Sequence, residues 1–252
     1  MQWLDDHTLD FGDVQLDLDY SPSLLTKVST KERFVLGKAA SMIHNLVDLL
    51  KDEQVKHMMD LGIYKGGSCV LYERLFQPEK LVAIDIATTP EAALAEYIQQ
   101  HNLTHRVKLY YGTDQSDYAK LTRIVRDEFQ ENALDLVVDD ASHFFPETRA
   151  SFNILFPYLR PNGYYLIEDW GWAHWEGDTW QKSGGIWANR PALTNLIVEL
   201  IMLSASRPDL VSHISLNQNT AVIRRGAGRV EPKGFDLGKL YMARGWKWRP
   251  SI

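Results

Sequence analysis

Cysteine is almost missing from this sequence. The single Cys69 in 252 residues excludes an internal disulfide and a cysteine-built metal cluster, and fits a reducing, cytoplasmic setting. An excess of basic charge is missing too. Lys and Arg number 27 against 33 Asp and Glu, a net charge of -6, which argues against a nucleic-acid or anionic-membrane partner. No apolar run is long enough to span a membrane, and the start Met1-Gln2-Trp3-Leu4-Asp5-Asp6 lacks the basic residues and apolar stretch of a secretory signal. Repeats, low-complexity tracts and a clear linker are also absent. What is present, 45% hydrophobic and 24% charged residues, is an ordinary globular composition.

The first 30 residues are acid-rich, with Asp5, Asp6, Asp10, Asp13, Asp17 and Asp19, and carry no sustained period. They predict an irregular arm over 1–30, with a short strand or helical turn, ahead of one domain over 31–252. The spacing of Phe34, Leu36, Ala39, Met42, Ile43, Leu46 and Leu49 predicts a helix from Thr30 to Leu50. Alternation follows. Strands are expected over Val55–Leu61, Leu81–Ile86, Val107–Tyr111, Leu134–Val138 and Tyr164–Ile167. Helices are expected from the Gly66-Gly67-Ser68 turn to Phe76 and over Pro90–Gln100, Tyr118–Phe129 and Pro146–Leu159. Repeated βα units imply a parallel sheet covered on both faces, with right-handed crossovers. A helix over Pro191–Ser206 and a hairpin through Gln218-Asn219 close the chain. Phe235, Tyr241, Trp246 and Trp248 make the C-terminal segment aromatic, and it is expected to pack on the body.

Two features carry chemistry. In Met58-Met59-Asp60-Leu61-Gly62-Ile63-Tyr64-Lys65-Gly66-Gly67-Ser68 the first parallel strand turns into its helix, and the glycines permit a tight turn or the close approach of a ligand. Asp85, about 20 residues on, stands where an acid can accept two ribose hydroxyls. Asp60 at the mouth of the loop would repel a pyrophosphate but can hold a cationic amino group. Lys65 reads as solvated, and Cys69 as a small packing residue. The second feature is a pair of acid-tipped strands, ending in Asp139-Asp140 and Glu168-Asp169, with His143 close behind the first. Clustered carboxylates suit a hard cation, and a histidine beside them can serve as a base. Helix capping by the acids is the plainer alternative, and His174 competes with His143 as the base.

Asp60-x-Gly62-x-x-x-Gly66 followed by Asp85 resembles the first two motifs of the class I S-adenosylmethionine-dependent methyltransferases. Gly112-Thr113-Asp114-Gln115-Ser116-Asp117 resembles their next cofactor segment. With Val138-Asp139-Asp140-Ala141-Ser142-His143 and Tyr165-Leu166-Ile167-Glu168-Asp169, the likeness extends to the metal-dependent sugar O-methyltransferases of macrolide biosynthesis and their relative, cephalosporin hydroxylase. The family often has glycine at the place of Ala141. The resemblance covers residues 55 to 170. It implies a Rossmann-like α/β fold with a seven-stranded, mostly parallel sheet and a C-terminal antiparallel hairpin. It implies Mg²⁺ held by Asp140, Glu168 and Asp169, with His143 as the general base. It places S-adenosylmethionine against Asp60, Gly62, Tyr64, Gly66, Ser68, Asp85, Asp114 and Gln115. Asp139 goes with the cofactor group, although a bond to the backbone is open to it.

The expected function is Mg²⁺-assisted O-methylation of a small-molecule hydroxyl, on a sugar of a glycosylated secondary metabolite. A catechol-type acceptor and a non-catalytic cofactor-binding partner in a tailoring complex are the rivals. A homo-oligomer stays open. Trp170, Trp172, Trp175, Trp180 and Trp187, flanked by Gly177 and Gly184-Gly185, predict a substrate lid around 170–190 with aromatic walls.

Overall fold

Phe34, Val35 and Leu36 are buried in succession, at 0%, 5% and 2% exposure, which a helix with one apolar face does not produce. In the computed structural model, which describes residues 1–130 and 133–244 and Thr179 by its backbone alone, they belong to a strand. The expected helix therefore begins ten residues late, at Ala40 rather than Thr30. The acidic N-terminal segment is likewise not irregular. Strands β1 (Gln2–Asp5), β2 (Thr8–Asp10) and β3 (Gln15–Leu18) pair antiparallel in order, and β4 (Arg33–Leu36) runs parallel to β3. The pleat explains the composition: in β3, Leu16 and Leu18 turn inward while Asp17 stays out and takes the guanidinium of Arg33, its Nε at 2.6 Å. Two-residue alternation was present in the sequence, and sheet pairing across a gap of 14 residues made it a fold element.

The chain forms two compact units, Met1–Asp114 and Gln115–Ile252. Beyond its N-terminal sheet, the first unit holds α1 (Ala40–Leu50), β5 (His57–Leu61), α2 (Gly67–Phe76), β6 (Lys80–Ile84), α3 (Ala92–Gln100) and β7 (Val107–Tyr110). Strands β5, β6 and β7 are parallel, with β6 between the other two. The second unit holds α4 (Tyr118–Phe129), β8 (Leu134–Asp139), α5 (Phe145–Leu155), β9 (Leu159–Glu168), α6 (Asp178–Gln181), α7 (Thr194–Ser206), β10 (Val211–Leu216) and β11 (Thr220–Arg225). Here β8 and β9 are parallel, β11 lies antiparallel on β9, and β10 closes the expected hairpin. The larger sheet thus has seven strands and is mostly parallel, the Rossmann-like α/β architecture that the βα alternation implies.

Every residue of β8 is buried. Leu134, Leu136, Val137 and Val138 are all 0% exposed; each gains about 1.5–3 kcal/mol by leaving water. Two acids, Asp135 and Asp139, share that interior, and a buried carboxylate requires partners. Asp135 pairs with Arg160. The partners of Asp139 belong to the site below. Phe235 packs on Phe156 with ring centroids 5.8 Å apart, as expected of the C-terminal aromatics, whereas Trp246 and Trp248 lie outside the described residues. No helix among the described residues is long and apolar enough to cross a membrane.

Candidate active site

In the first unit the glycine loop and Asp85 form one hydrogen-bonded piece. Asp85 Oδ2 accepts from the backbone N–H groups of Ile63 (2.9 Å) and Tyr64 (2.8 Å), and its Oδ1 accepts from Ala87 (2.7 Å). The acid expected to read a ribose therefore also clamps the loop, and a carboxylate, with about four lone-pair sites, has capacity for both. The clamp holds Tyr64 at φ 47, a left-handed conformation, with its ring half-exposed. Gly62 and Gly66 have φ 108 and 81, which only glycine adopts without cost. Asp60 is fully buried, and its Oδ2 accepts from Ser68 Oγ at 2.7 Å and Cys69 Sγ at 3.4 Å. Burial, with Asp60 alongside, pushes the Cys69 thiol up, so Cys69 is the inert packing residue expected. Thr113 donates its N–H to the Asp85 carbonyl at 2.8 Å, and its buried hydroxyl has no hydrogen-bond partner among the described residues. Asp114 is exposed.

The N-terminal segment reaches this loop, which the sequence did not reveal. A Cβ on Gly67 would lie 2.3 Å from the Val35 carbonyl oxygen, so this glycine admits strand β4, not a ligand. Ser29 Oγ donates to the Lys65 carbonyl (2.7 Å) and accepts from Val35 N–H (3.0 Å). Lys65, expected in solvent, donates its ammonium to the carbonyls of Lys27 and Leu25 instead.

In the second unit Asp140, His143 and Asp169 each place one ligand atom within 4.8 Å of the other two. His143 Nε2 is 3.8 Å from Asp140 Oδ1. Glu168 is 5% exposed at the end of β9 and is outside this set of three. Two of the three residues hold strained backbone: φ is 56 at His143 and 52 at Asp169. Such conformations cost about 1–3 kcal/mol each and persist where surrounding bonds impose them. Here the Trp172 indole donates to the His143 carbonyl (2.8 Å), and the Asp169 N–H donates to the carbonyl of Asn219, in the hairpin turn (2.7 Å). Asn217 organises that turn, its Oδ1 accepting from Asn219 and Thr220 N–H. Gly171 admits it, since a Cβ there would stand 3.1 Å from the Gln218 carbonyl.

Asp139 and Gln115, expected on the cofactor side, turn their side chains into a buried cluster. Gln115 Nε2 donates to Asp139 Oδ1 (3.0 Å) and Ser151 Oγ (3.1 Å), while Ser151 and Tyr165 donate to Asp139 Oδ2. Burial pushes the Asp139 carboxyl up to about 6 against the opposing pull of those donors.

The tryptophan segment is not a bare loop. A 3₁₀ turn over Trp172–His174 leads to α6, and Gln181 Nε2 ties it together by donating to the carbonyls of Ala173 and Trp175. Its indoles pack against one another in tilted and edge-on pairs: Trp187 lies 4.7 Å from Trp172 and 5.1 Å from Trp180, and Trp175 lies 5.0 Å from Trp180. Trp187 also tilts over the His143 ring at 6.3 Å. The rival base His174 bonds Thr194 Oγ1 at 2.7 Å and is not among the three clustered residues.

Residues 59–170 match the family model of a methyltransferase domain. The mycinamicin VI 2''-O-methyltransferase of Micromonospora griseorubida is 32% identical over 134 residues, covering 50% of this chain and 30% of that protein. The demethylmacrocin O-methyltransferase of Streptomyces fradiae is 30% identical over 134 residues, with the same coverage of 50% and 30%. The chain thus spans less than a third of the length of these curated relatives. Among solved structures, a methyltransferase of the mycinamycin pathway in complex with Mg, SAH and mycinamycin VI superposes with a TM-score of 0.53 at 24% identity, covering 74% of this chain and 49% of that one. An O-methyltransferase of tomaymycin synthesis from Streptomyces achromogenes, in complex with SAM, gives a TM-score of 0.52 at 15% identity, covering 75% and 81%. At these identities the two structures establish the fold.

Proposed function

We propose that this chain, whose residues 59–170 match the model of a methyltransferase domain, is a cation-assisted S-adenosylmethionine-dependent O-methyltransferase acting on a sugar hydroxyl of a glycosylated natural product. The observation that carries the reading is the convergence of Asp140, His143 and Asp169 on one point. Two carboxylate oxygens are the donors a hard cation prefers, and with the histidine nitrogen they lie within 4.8 Å of one another. Glu168, next to Asp169, is the third acid of the proposed set. The nucleoside side fits as well: Asp85 keeps lone pairs beyond its clamp, and the Thr113 hydroxyl is buried with no partner among the described residues.

When bound, S-adenosylmethionine supplies a sulfonium methyl group, and a divalent cation stabilises charge on an acceptor oxygen as its proton leaves. The chain's own residues do the rest. His143 Nε2, beside the Asp140 carboxylate, takes the proton of the acceptor hydroxyl. Asp140 and Asp169 would hold the cation, which would supply a positively charged anchor for the acceptor, and such positioning can supply up to roughly 7–11 kcal/mol of a barrier. The Trp187 face next to His143 offers an apolar wall to a sugar ring. Sugar acceptors are favoured over catechols because the curated relatives include olivosyl and rhamnosyl methyltransferases. Residues around 170–190 serve as the acceptor cover of a domain that follows the N-terminal segment.

Calorimetry with S-adenosylmethionine and a methyl-transfer assay with and without EDTA test the reading. Binding, and transfer that EDTA abolishes and Mg²⁺ restores, are expected. Absence of binding at millimolar ligand overturns the methyltransferase reading, and transfer indifferent to chelation overturns the cation's part in it.

A further inference from the structure

The cluster behind the Asp140–His143 loop accounts for every polar atom of one side chain. Gln115 is 4% exposed, and its partners Asp139, Ser151 and Tyr165 are 2%, 0% and 0% exposed. Both amide hydrogens of Gln115 have acceptors, Asp139 Oδ1 and Ser151 Oγ. Its carbonyl end, Oε1, accepts the backbone N–H of Ser142 at 2.8 Å. Ser142 lies between Asp140 and His143, and its own Oγ accepts from Phe144 N–H at 3.2 Å. The amide has one workable orientation. Reversed, it would set its NH₂ against the Ser142 N–H and its carbonyl against the Asp139 carboxylate, two repulsive contacts in a dry site.

We infer that Gln115 is a positioning residue that ties the loop carrying Asp140 and His143 to the buried carboxylate of Asp139, and so sets the cation geometry. The inference rests on the proposed reading that this loop holds a divalent cation. Its physical content is directional. Asp139 fixes the amide by accepting from one end, and the amide fixes Ser142 by accepting at the other. Tyr165 and Ser151 hold Asp139 in turn, with Tyr165 OH donating at 2.8 Å. A packed apolar group in place of Gln115 would fill the same volume but leave the Ser142 N–H unpaired and the loop free to relax. His143 sits in a left-handed conformation that needs such restraint, and Trp172 restrains it only from the carbonyl side.

The test uses the full chain and two readouts. Mn²⁺ is titrated by electron paramagnetic resonance as the probe of the cation site, and amide hydrogen exchange of the peptide over 140–144 is followed by mass spectrometry. Gln115→Leu is expected to weaken Mn²⁺ at least tenfold and to speed exchange in 140–144, with exchange elsewhere and S-adenosylmethionine affinity at wild-type values. Tyr165→Phe, which removes a donor to Asp139 without touching the loop, is expected to do the same to a smaller degree. It decides the matter if Gln115→Leu does not fold. Folded variants with wild-type exchange over 140–144 overturn the inference, as do variants with faster exchange but unchanged Mn²⁺ affinity. A wild-type chain that binds no Mn²⁺ removes the cation from the proposed function and overturns the cation-setting role with it. The exchange readout then still reports whether Gln115 holds the loop.

Discussion

Trp172 donates its indole N–H to the backbone carbonyl of His143 over 2.8 Å, so a core side chain, 3% exposed, holds a site residue in a left-handed turn. Trp172→Phe keeps most of the packing against Trp187 and loses that bond. Stability is expected to fall by about 1 kcal/mol, and Mn²⁺ affinity by several-fold. Thermal unfolding and cation titration measure the two effects; undiminished Mn²⁺ binding would show that the carbonyl anchor is dispensable.

The two histidines near the acids are expected to separate cleanly. His143→Ala should cost about 10²–10⁴-fold in turnover, the usual share of a general base, with cofactor affinity intact. His174→Ala breaks a contact to Thr194 and should stay within a few-fold of wild type. Steady-state kinetics of both variants check the assignment, and the reverse ranking would transfer the role to His174.

Asp140→Asn and Asp169→Asn each remove a charge from the group of three. Each is expected to weaken divalent-cation binding more than tenfold in calorimetry. S-adenosylmethionine affinity should hold, because Asp60 and Asp85 anchor a separate hydrogen-bonded loop. Cofactor affinity that falls in parallel with cation affinity would show that the two loops are not independent.

Asp139 makes stability depend on pH. Its carboxyl is raised to about 6 by burial, so the folded protein holds the proton more tightly than the unfolded chain does. The resulting stabilisation is fully present below about pH 4 and is lost as pH rises through about 6. Relative to Asp139→Asn, the wild type should therefore gain on the order of 3 kcal/mol between pH 7 and pH 4. Urea unfolding of both proteins across that range tests the sign; a difference independent of pH would mean that Asp139 stays ionised throughout.

Gly67→Ala puts a methyl group 2.3 Å from the Val35 carbonyl. Overpacking of this kind costs about 1–3 kcal/mol, read as a lower midpoint in denaturant. A variant with wild-type stability would show that strand β4 can retreat from the glycine loop at no cost.

Much of this was legible in the chain itself, and the misreadings have particular causes. The βα alternation reads from residues 55 to 168 because each buried strand is a short β-rich run and each helix an amphipathic one. The segment Phe34-Val35-Leu36 fails because three consecutive apolar residues satisfy helix spacing and a buried strand alike, and only pairing with β3 decides between them. Gly67 is misassigned because a glycine shows that something approaches closely, not what does. The tryptophans read as walls of a lid, and only the structure shows that Trp187 packs against both Trp172 and Trp180.

Local sequence alone determined that acids stand at the ends of the strands. The motif likeness put Asp140 with the cation and left Asp139 between the cofactor and a backbone bond, so the place of the Asp139 side chain stayed open. That was decided by Gln115, Ser151 and Tyr165, which lie 24, 12 and 26 positions from Asp139 and surround it only after the second unit has folded. A buried carboxylate goes where hydrogen-bond donors offset its lost hydration, and donors so distant along the chain converge only in the tertiary structure.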